Sequence, residues 1–588
     1  MPIRSYPVRR NKANERRLVF LLCIVIGLVA GLAAVVLKTS VHYIEAFLLS
    51  TSDSHNQNWL FITLPVIGIF ITVLFIRLFI KEDISHGVTQ ILSAISLKSS
   101  RIKKHNMYSS IVGCAFTGGF GGSVGMEAPI LYTGAAIGSN LGQVFNLNYK
   151  TITLLVGCGT AGALAAIFKA PITGMIFAME VLMLDLTASS IIPLLITTVT
   201  ATMLSTFLLG EKIEFYFTIK DVFNPNAIPF YILLGVFTGL VSLYFTKAYV
   251  YVERQFSRVN NWFVRIIVGG LSLGILIFLF PPLFGEGYTS MKLVLSGKIH
   301  ELLNNSLFYG VNVNEWMFVG FLLFILLFKV IATAATTGSG GIGGIFAPSL
   351  FMGGIAGFAF VRSMNMLFPD SWKLSENNFT LVGMAGLIAG VIHAPLTAIF
   401  LIAEITGGYE LFIPLIITAS ISYLTIKLFE PHSIYAKKLA QRGELITHHK
   451  DKAILTLLKV GDLIEKNFST VRADDTLGDL VKVISSSTRN TYPVVSYEND
   501  FLGMISLDDV RNIMFDKDMY NTIHVSSLMV QPVALVSPED TMESVMETFK
   551  DTGLWNLPVL DDGKYLGFVS RANVFNAYRK LLIEFSEE

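Results

Sequence analysis

The sequence has 588 residues, of which 53% are hydrophobic and 15% charged, and its formal net charge is +1. A soluble protein of this length has too small a core for so many apolar residues, so contact with a lipid bilayer is indicated. The balanced charge argues against a nucleic-acid partner. Of the 44 Lys and Arg and 43 Asp and Glu residues, 35 lie in the last 138 positions and 52 in the first 450, which predicts a membrane domain followed by a soluble tail.

A basic segment, residues 1–17, precedes two long apolar runs. Leu18–Leu37 and Trp59–Ile80 are each long enough to cross a bilayer as a continuous helix. Basic residues flank the whole apolar part, within Arg4–Arg17 and again within Lys437–Lys452, so the positive-inside bias predicts that both termini are cytoplasmic. We expect an integral, multi-pass protein of a plasma membrane or bacterial inner membrane.

Further along the chain, the apolar runs become shorter and are interrupted by Gly and Pro. The interrupted runs are Gly118–Pro129, Gly157–Pro171, Gly338–Pro348 and Gly383–Pro395. Interrupted helices are tolerated at membrane depth only where they are buried in protein or line a polar cavity. Three other runs predict complete spans: Pro229–Thr246, Phe263–Phe284 and Trp316–Thr333.

Two ordered blocks of this region recur. The Gly, Ala, Pro, Thr and Glu positions of Gly159–Glu180 return in Gly383–Glu404 with an offset of 224 residues, and those of Gly122–Gly138 return in Gly341–Gly357 with an offset of 219. Chance recurrence of glycine packing motifs is a minor alternative, because the two offsets are nearly equal. The pattern predicts two repeat halves, about residues 18–210 and 225–430, with a binding site where they meet.

The glycine-rich turns predict an anion site. A turn that leads into a short helix leaves backbone N–H groups and the positive end of the helix dipole facing a cavity. Such a site needs no Lys or Arg, whose full charge would hold a transported ion too tightly. Gly122–Pro129 and Gly341–Pro348 are the candidate turns, and close helix packing alone is the alternative explanation for their glycines.

Glu127 stands within the first turn, where its repeat counterpart is Phe346. A carboxylate at a helix N-terminus is itself an anion, so it can occupy the site and block it until it is protonated or displaced. Glu180 and Glu404 occupy equivalent repeat positions, and we expect them to cap or brace helices.

These residues resemble the CLC family of chloride channels and chloride/proton exchangers, and the resemblance covers roughly residues 18–440. Gly125-Met-Glu-Ala-Pro129 is similar to the family's G-(K/R)-E-G-P segment, which makes Glu127 the gating glutamate and places Gly125 at the anion site. Met126 and Ala128 replace the basic residue and the second glycine of that segment. The resemblance implies an all-α polytopic membrane domain of two inverted repeats, and a homodimer with one chloride pathway per subunit.

Three further positions carry the resemblance to the anion site. Gly344-Ile-Phe-Ala-Pro348 matches the family's G-x-F-x-P segment, which implies that the backbone amides of Ile345 and Phe346 contact the central anion. Tyr435 falls where the family places a tyrosine hydroxyl on that ion. His86 replaces a chloride-contacting serine; its ring can donate an N–H to an anion, or only the backbone amides matter and the ring points aside. Both interpretations stay open.

Val181 decides the predicted mode of transport. Exchangers of the family carry a proton-relaying glutamate at the position after Glu180, whereas the channel branch has valine there. Valine cannot carry a proton, so the sequence predicts a passive chloride channel gated by Glu127. A proton-coupled antiporter on the same fold is the alternative, because water can substitute for the acid and some exchangers of the family lack it.

The soluble tail contains a second repeat. Tyr492–Ser506 is echoed by Leu557–Ser570, and each is a β-rich pair bordered by helical segments such as Thr476–Ser485 and Thr541–Phe549. The pattern resembles a tandem pair of cystathionine-β-synthase (CBS) domains, an α+β fold. The predicted boundaries are 441–459 for the linker, 460–518 for the first CBS domain and 525–583 for the second.

The resemblance to CBS domains implies an adenine-nucleotide site. In such pairs an Asp three residues after a Ser or Thr holds the ribose, a pattern that Ser506 and Asp509 match and that Ser570 and Asn573 match less well. A purely structural or dimerising pair is the open alternative, because no glycine-rich phosphate loop accompanies these residues.

Other classes of function are disfavoured. A divalent-cation transporter would need acidic side chains along its pathway, whereas the repeat interface offers mainly glycine turns and apolar neighbours. The sequence has no metal cluster, nucleophile–base pair or cofactor fingerprint of an enzyme, and no cofactor is required for transport. Cys23, Cys114 and Cys158 lie in apolar stretches without the spacing of metal ligands.

Overall fold

The computed structural model describes residues 12–50, 59–81, 87–182, 188–210, 223–304, 306, 314–368, 372–441, 455 and 458–586. The chain divides into two compact units, Met1–Leu445 and Ile446–Glu588. The first unit is helical, and the second contains both helices and strands. Most of the linker predicted at 441–459 lies outside the described residues.

The first unit spans the two predicted repeat halves. The helices of its first half are α1 (Lys12–Leu49), α2 (Leu60–Phe75), α3 (Gly87–Leu97), α4 (Ser109–Gly119), α5 (Glu127–Val144), α6 (Tyr149–Phe168), α7 (Pro171–Glu180) and α8 (Ala188–Leu209). Those of its second half are α9 (Ile228–Ser257), α10 (Trp262–Leu279), α11 (Tyr288–Leu295), α12 (Glu315–Gly338), α13 (Phe346–Leu367), α14 (Glu376–Ile392), α15 (Pro395–Ile405), α16 (Phe412–Lys427) and α17 (Ile434–Gln441). Short helical turns occur at Ile76–Ile80, Lys104–Met107, Pro225–Ala227, Pro281–Leu283 and Ile299–Leu303.

The predicted complete spans are present as helices. Within the described residues, eight helices are long and apolar enough to cross a membrane. The helix predicted at Phe263–Phe284 ends earlier, at Leu279, and a short turn at Pro281–Leu283 follows it. Two consecutive prolines cause the early end, because proline has no N–H to donate and disfavours helical geometry in the residue before it.

Local backbone chemistry interrupts the helices where the repeats predict breaks. Lys169 adopts the left-handed conformation, with φ of 56°, between the end of α6 and Pro171. His393, with φ of 60°, and Pro395 divide α14 from α15 in the same way. The corresponding breaks in the two halves confirm the predicted interruptions.

The repeat glycines allow helix backbones to touch. A Cβ atom on Gly134 would lie 2.1 Å from the carbonyl oxygen of Gly159, so α5 and α6 pack with no side chain between them. In the second half, a Cβ atom on Gly353 would lie 2.5 Å from the carbonyl oxygen of Gly383, where α13 meets α14. Close packing therefore accounts for these glycines, which lie outside the two candidate turns.

Two intramembrane acids cap helices of the opposite repeat. The Glu180 carboxylate accepts hydrogen bonds from the N–H and hydroxyl of Thr397 at 2.8 and 2.7 Å, at the start of α15. The Glu404 carboxylate accepts the equivalent pair from Thr173, at 2.8 and 2.6 Å, at the start of α7. Each acid thus satisfies N-terminal amides that have no partner within their own helix, which confirms the expected bracing role.

The second unit contains the two β-rich pairs that the sequence predicts. Its strands are β1 (Val471–Arg472), β2 (Thr491–Val495), β3 (Phe501–Ser506), β4 (Asn556–Asp561) and β5 (Lys564–Ser570). β2 pairs in parallel with β1 and antiparallel with β3, and β4 pairs antiparallel with β5. Its helices are α18 (Leu477–Ser486), α19 (Leu507–Val510), α20 (Val525–Leu528), α21 (Met542–Thr552) and α22 (Arg571–Ser586).

Candidate anion-binding site

The two candidate turns meet at the centre of the helical unit. Gly125 and Gly344 form two backbone hydrogen bonds, with N–H to O distances of 2.8 and 2.7 Å. Glu127 is the first residue of α5 and Phe346 the first residue of α13, so the repeat counterparts start two helices side by side. The positive ends of two helix dipoles are thereby brought together.

Two more helices begin at the same place. A Cβ atom on Gly87, the first residue of α3, would lie 2.4 Å from the carbonyl oxygen of Ala128, so α3 starts in contact with α5. The Thr89 hydroxyl donates to the carbonyl oxygen of Tyr435 at 3.0 Å and joins α3 to α17. A cavity of about 250 Å³ lies here, and its lining includes Thr89, Ala128, Gly343, Gly344, Ile345 and Tyr435.

The Glu127 side chain occupies the junction of the turns. Its relative exposure is 1%, and its Oε1 accepts a hydrogen bond from the Tyr288 hydroxyl at 2.7 Å. Its Oε2 lies over Gly125, where a Cβ atom would come within 2.0 Å of it, and it has no partner of normal hydrogen-bond geometry among the described residues. The backbone N–H groups of Glu127 and Ala347 face the same carboxyl group. The carboxyl group thus stands where the sequence predicts an anion.

Phe346 and Tyr435 contribute different groups. The Phe346 ring is fully buried and packs against Phe168 and Phe177, with ring centroids 5.6 and 6.4 Å away, so its side chain belongs to the apolar core. Tyr435 is 4% exposed, and its hydroxyl has no hydrogen-bond partner among the described residues. A buried hydroxyl in this state is a natural ligand for an anion or a water molecule.

A second cavity, of about 300 Å³, lies beside the first. Both are lined by Glu253, Ser257 and Gly343. Basic side chains also line them, Arg254 and Lys437 in the first cavity and Arg77 and Arg265 in the second. Lys437 is paired with Glu430 at 2.7 Å. The three arginines outnumber the single carboxylate of Glu253 in the lining and make this approach to the anion site electropositive, which favours the entry of anions.

The two remaining predicted positions are His86 and Val181. His86 lies outside the described residues, so its contact with an anion stays a prediction; the neighbouring Gly87 lines the second cavity. Val181 is 6% exposed at the end of α7, directly after the cap-forming Glu180.

Sequence reasoning missed three residues near Glu127. Glu286 and Tyr288 belong to the segment Gly285-Glu-Gly-Tyr288, which follows α10 and ends at the first residue of α11. Glu286 Oε1 accepts the N–H of Met126 at 2.7 Å. Lys329 is fully buried within α12. A sequence signal was available for Lys329 alone, because a charged residue inside an apolar membrane segment is a functional candidate by default.

In the second unit, the predicted nucleotide residues form local helix caps. Ser506 is the residue before α19, and its N–H donates to Asp509 Oδ2 at 2.9 Å. The two residues form a capping box. The Ser570 hydroxyl accepts the N–H of Asn573 at 3.1 Å at the start of α22. The three-residue spacing therefore has a structural cause of its own, and nucleotide binding stays a prediction.

Known families match both units. A family model described as voltage gated chloride channel matches residues 68–427, and CBS domain models match residues 460–516 and 525–580. An H⁺/Cl⁻ exchange transporter of Vibrio campbellii is 28% identical over 454 residues, which cover 74% of this chain and 91% of that protein. The chloride channel protein CLC-f of Arabidopsis thaliana is 24% identical over 92% of this chain and 77% of its own.

Solved structures share the fold. A slow cyanobacterial Cl⁻/H⁺ antiporter matches with a TM-score of 0.61 and 24% identity over 72% of this chain and 97% of its own. A eukaryotic CLC transporter matches with a TM-score of 0.60 and 16% identity over 94% of this chain and 97% of its own. The predicted helical membrane domain with an attached α+β pair of CBS domains is confirmed.

Proposed function

The chain belongs to the voltage-gated chloride channel (CLC) family, and on that premise we propose that it exchanges chloride for protons, with Glu127 as the group that gates the anion site and carries the proton. The observation that carries the proposal is the Glu127 carboxyl group, buried where the N-termini of α5 and α13 meet. An ionised carboxylate and a chloride ion compete for the same N–H groups. Protonation removes the charge that holds the side chain in the site, and chloride can then enter.

Exchange has better support from the relatives than passive conduction. Proteins named H⁺/Cl⁻ exchange transporters, from Vibrio campbellii and Vibrio cholerae, align with this chain over 91% and 89% of their own lengths. Passive conduction is the second candidate, and Val181 favours it because valine cannot relay a proton. Because Val181 stands where exchangers of the family have a proton-relaying glutamate, an exchanger with this sequence needs another proton acceptor. That acceptor should lie on the same side of the membrane as the C-terminal end of α17.

Glu253 is our candidate for that acceptor. It lies in the last turns of α9 and lines both cavities beside the anion site. Tyr249, one helical turn earlier, and Tyr435 line the same cavity. Their hydroxyl groups, with water in the cavity, supply hydrogen-bonding groups between Glu253 and the anion site, and such chains of donors and acceptors support proton transfer.

Flux measurements under crossed gradients test the proposal. The full-length protein is reconstituted in liposomes with a pH gradient and equal chloride on both sides, and chloride movement is followed. Exchange predicts that the proton gradient drives chloride uphill. Glu127→Gln, which resembles the protonated gate, should move chloride only downhill and without pH dependence.

The controls separate the outcomes. Glu301→Gln removes a carboxylate from a surface pair with Lys298 and should behave as wild type. A wild-type protein that conducts chloride downhill but never uphill would establish passive conduction. Retained coupling and pH response in Glu127→Gln would remove Glu127 as the gate.

Three finer features belong to the same proposal. The protein acts as a homodimer with one pathway per subunit, as the family resemblance implies. The CBS pair regulates transport by binding an adenine nucleotide at Ser506 and Asp509. Both termini face the cytoplasm, as the basic flanks of the membrane domain predict.

A further inference from the structure

The segment Gly285–Tyr288 reaches the gate from the second repeat half. Gly285 and Gly287 have φ values of 57° and 94°, a conformation that L side chains rarely adopt. A Cβ atom on Gly287 would also lie 2.6 Å from the Phe351 ring. The two glycines therefore turn the chain sharply on both sides of Glu286 and allow it to pack against α13.

Consecutive residues at the start of α5 are held by this one segment. Glu286 Oε1 accepts the N–H of Met126 at 2.7 Å, and the Tyr288 hydroxyl donates to Glu127 Oε1 at 2.7 Å. The first N–H groups of a helix have no partner within the helix and attract anions. Glu286 therefore takes up an N–H group that would otherwise be available to an anion. The Tyr288 hydroxyl stabilises Glu127 in the position that blocks the site.

Lys329 anchors the segment from α12. Its Nζ donates to the carbonyl oxygens of Gly285 at 2.8 Å and Leu283 at 3.3 Å, and it lies 5.0 Å from the centroid of the Phe351 ring. Lys329 and Glu286 also attract each other electrostatically. A buried ammonium group is costly unless such partners compensate it, so these contacts hold the segment in one position.

The segment lies across the membrane domain from the charged cavities. α10 is long and apolar enough to cross the membrane, its first residue follows closely after the cavity-lining Ser257, and its last precedes Gly285. If the cavities open to the cytoplasm, as the basic flanks predict, the segment faces the opposite approach to the gate.

We infer that Gly285–Tyr288 is a latch that holds Glu127 closed from the far side, with Tyr288, Glu286 and Lys329 as its positioning residues. The inference rests on the proposed function in one respect, that Glu127 is the gate. Opening then requires Glu127 to leave the Tyr288 hydroxyl as well as the backbone amides. Other charged or titratable groups also face Glu127 and contribute to its response to pH: Lys38 on α1, Cys114 on α4, Tyr435 on α17 and Glu286 itself.

Tyr288→Phe tests the latch because it removes only the hydroxyl. A hydrogen bond to a charged group is strong enough that its loss should raise chloride flux at neutral pH by about tenfold. The bond favours the ionised, closed gate, so the pH of half-maximal activation should also move upward by about one unit. Tyr244→Phe is the matched control, since it removes a hydroxyl that donates to the Leu327 carbonyl oxygen at 2.8 Å, away from the gate. Its flux and pH profile should equal those of wild type.

A second variant and a second background keep the test decisive. Glu286→Gln should weaken the hold on Met126 and change flux in the same direction. Tyr288→Phe should have no further effect in a Glu127→Gln protein, because no carboxylate remains for the hydroxyl to hold. If Glu127→Gln abolishes the pH response while Tyr288→Phe and Glu286→Gln leave flux and the pH midpoint unchanged, the latch is refuted and the gate is not. If Glu127→Gln itself changes nothing, the proposed function fails first.

Discussion

Gly125→Ala offers a direct steric test of the gate. The new Cβ atom would lie 2.0 Å from Glu127 Oε2, whereas ordinary van der Waals contact begins near 3.4 Å. The carboxyl group would have to retreat by about 1.4 Å. The Tyr288 hydroxyl holds Oε1 of the same carboxyl group at 2.7 Å, so we expect a displacement of this size to break that hydrogen bond.

The expected effect is opening without any change of charge. Loss of a hydrogen bond to a charged group is worth about 1.5 to 3 kcal/mol, which corresponds to roughly 10- to 150-fold in the equilibrium between closed and open gate. We therefore expect chloride efflux from liposomes at neutral pH to increase at least about tenfold, and its activation by acid to become correspondingly weaker.

The repeat counterpart provides the control. A Cβ atom on Gly344 would lie 2.8 Å from Ala128 Cβ, a similar crowding of the turn with no carboxylate involved, so Gly344→Ala should not raise flux. In a Glu127→Ala background, Gly125→Ala should add nothing, because the two substitutions act on one group. An increase of flux that persists in that background, or that Gly344→Ala reproduces, would contradict the steric argument.

Three further predictions concern the approach, the selectivity and the tail. Glu253→Gln should lower the number of protons exchanged per chloride while chloride still moves downhill, and unchanged stoichiometry under crossed gradients would exclude Glu253 from the proton route. His86→Ser should change the ranking of chloride, bromide and nitrate in flux assays, and an identical ranking would place the ring outside the pathway. Asp509→Asn should weaken adenine-nucleotide binding to the full-length protein by about tenfold, measured by calorimetry, and a wild-type protein that binds no nucleotide would leave Ser506 and Asp509 as helix caps alone.

The sequence determined the parts of the fold that depend on local chemistry. Proline, left-handed residues and glycine interrupt helices through the backbone of a few neighbouring residues, so the breaks at Pro171 and Pro395 could be predicted without any tertiary contact. The repeat offsets then predicted which breaks correspond, and hence that Glu127 and Phe346 begin equivalent helices. The bracing of helices by Glu180 and Glu404 was predicted for the same reason, although their threonine partners were not.

Only the tertiary structure decided what surrounds the gate. Tyr288 lies 161 positions from Glu127, and Glu286 lies 160 positions from Met126. No periodicity or spacing encodes such contacts, because they depend on how α11 and α12 pack against the start of α5. The early end of α10 at Leu279 places the segment Gly285–Tyr288 beside the start of α5, and the buried Lys329 holds the segment there. Local sequence specifies where helices stop, whereas long-range packing specifies which side chains meet where they stop. The contacts proposed to control Glu127 depend on the long-range packing.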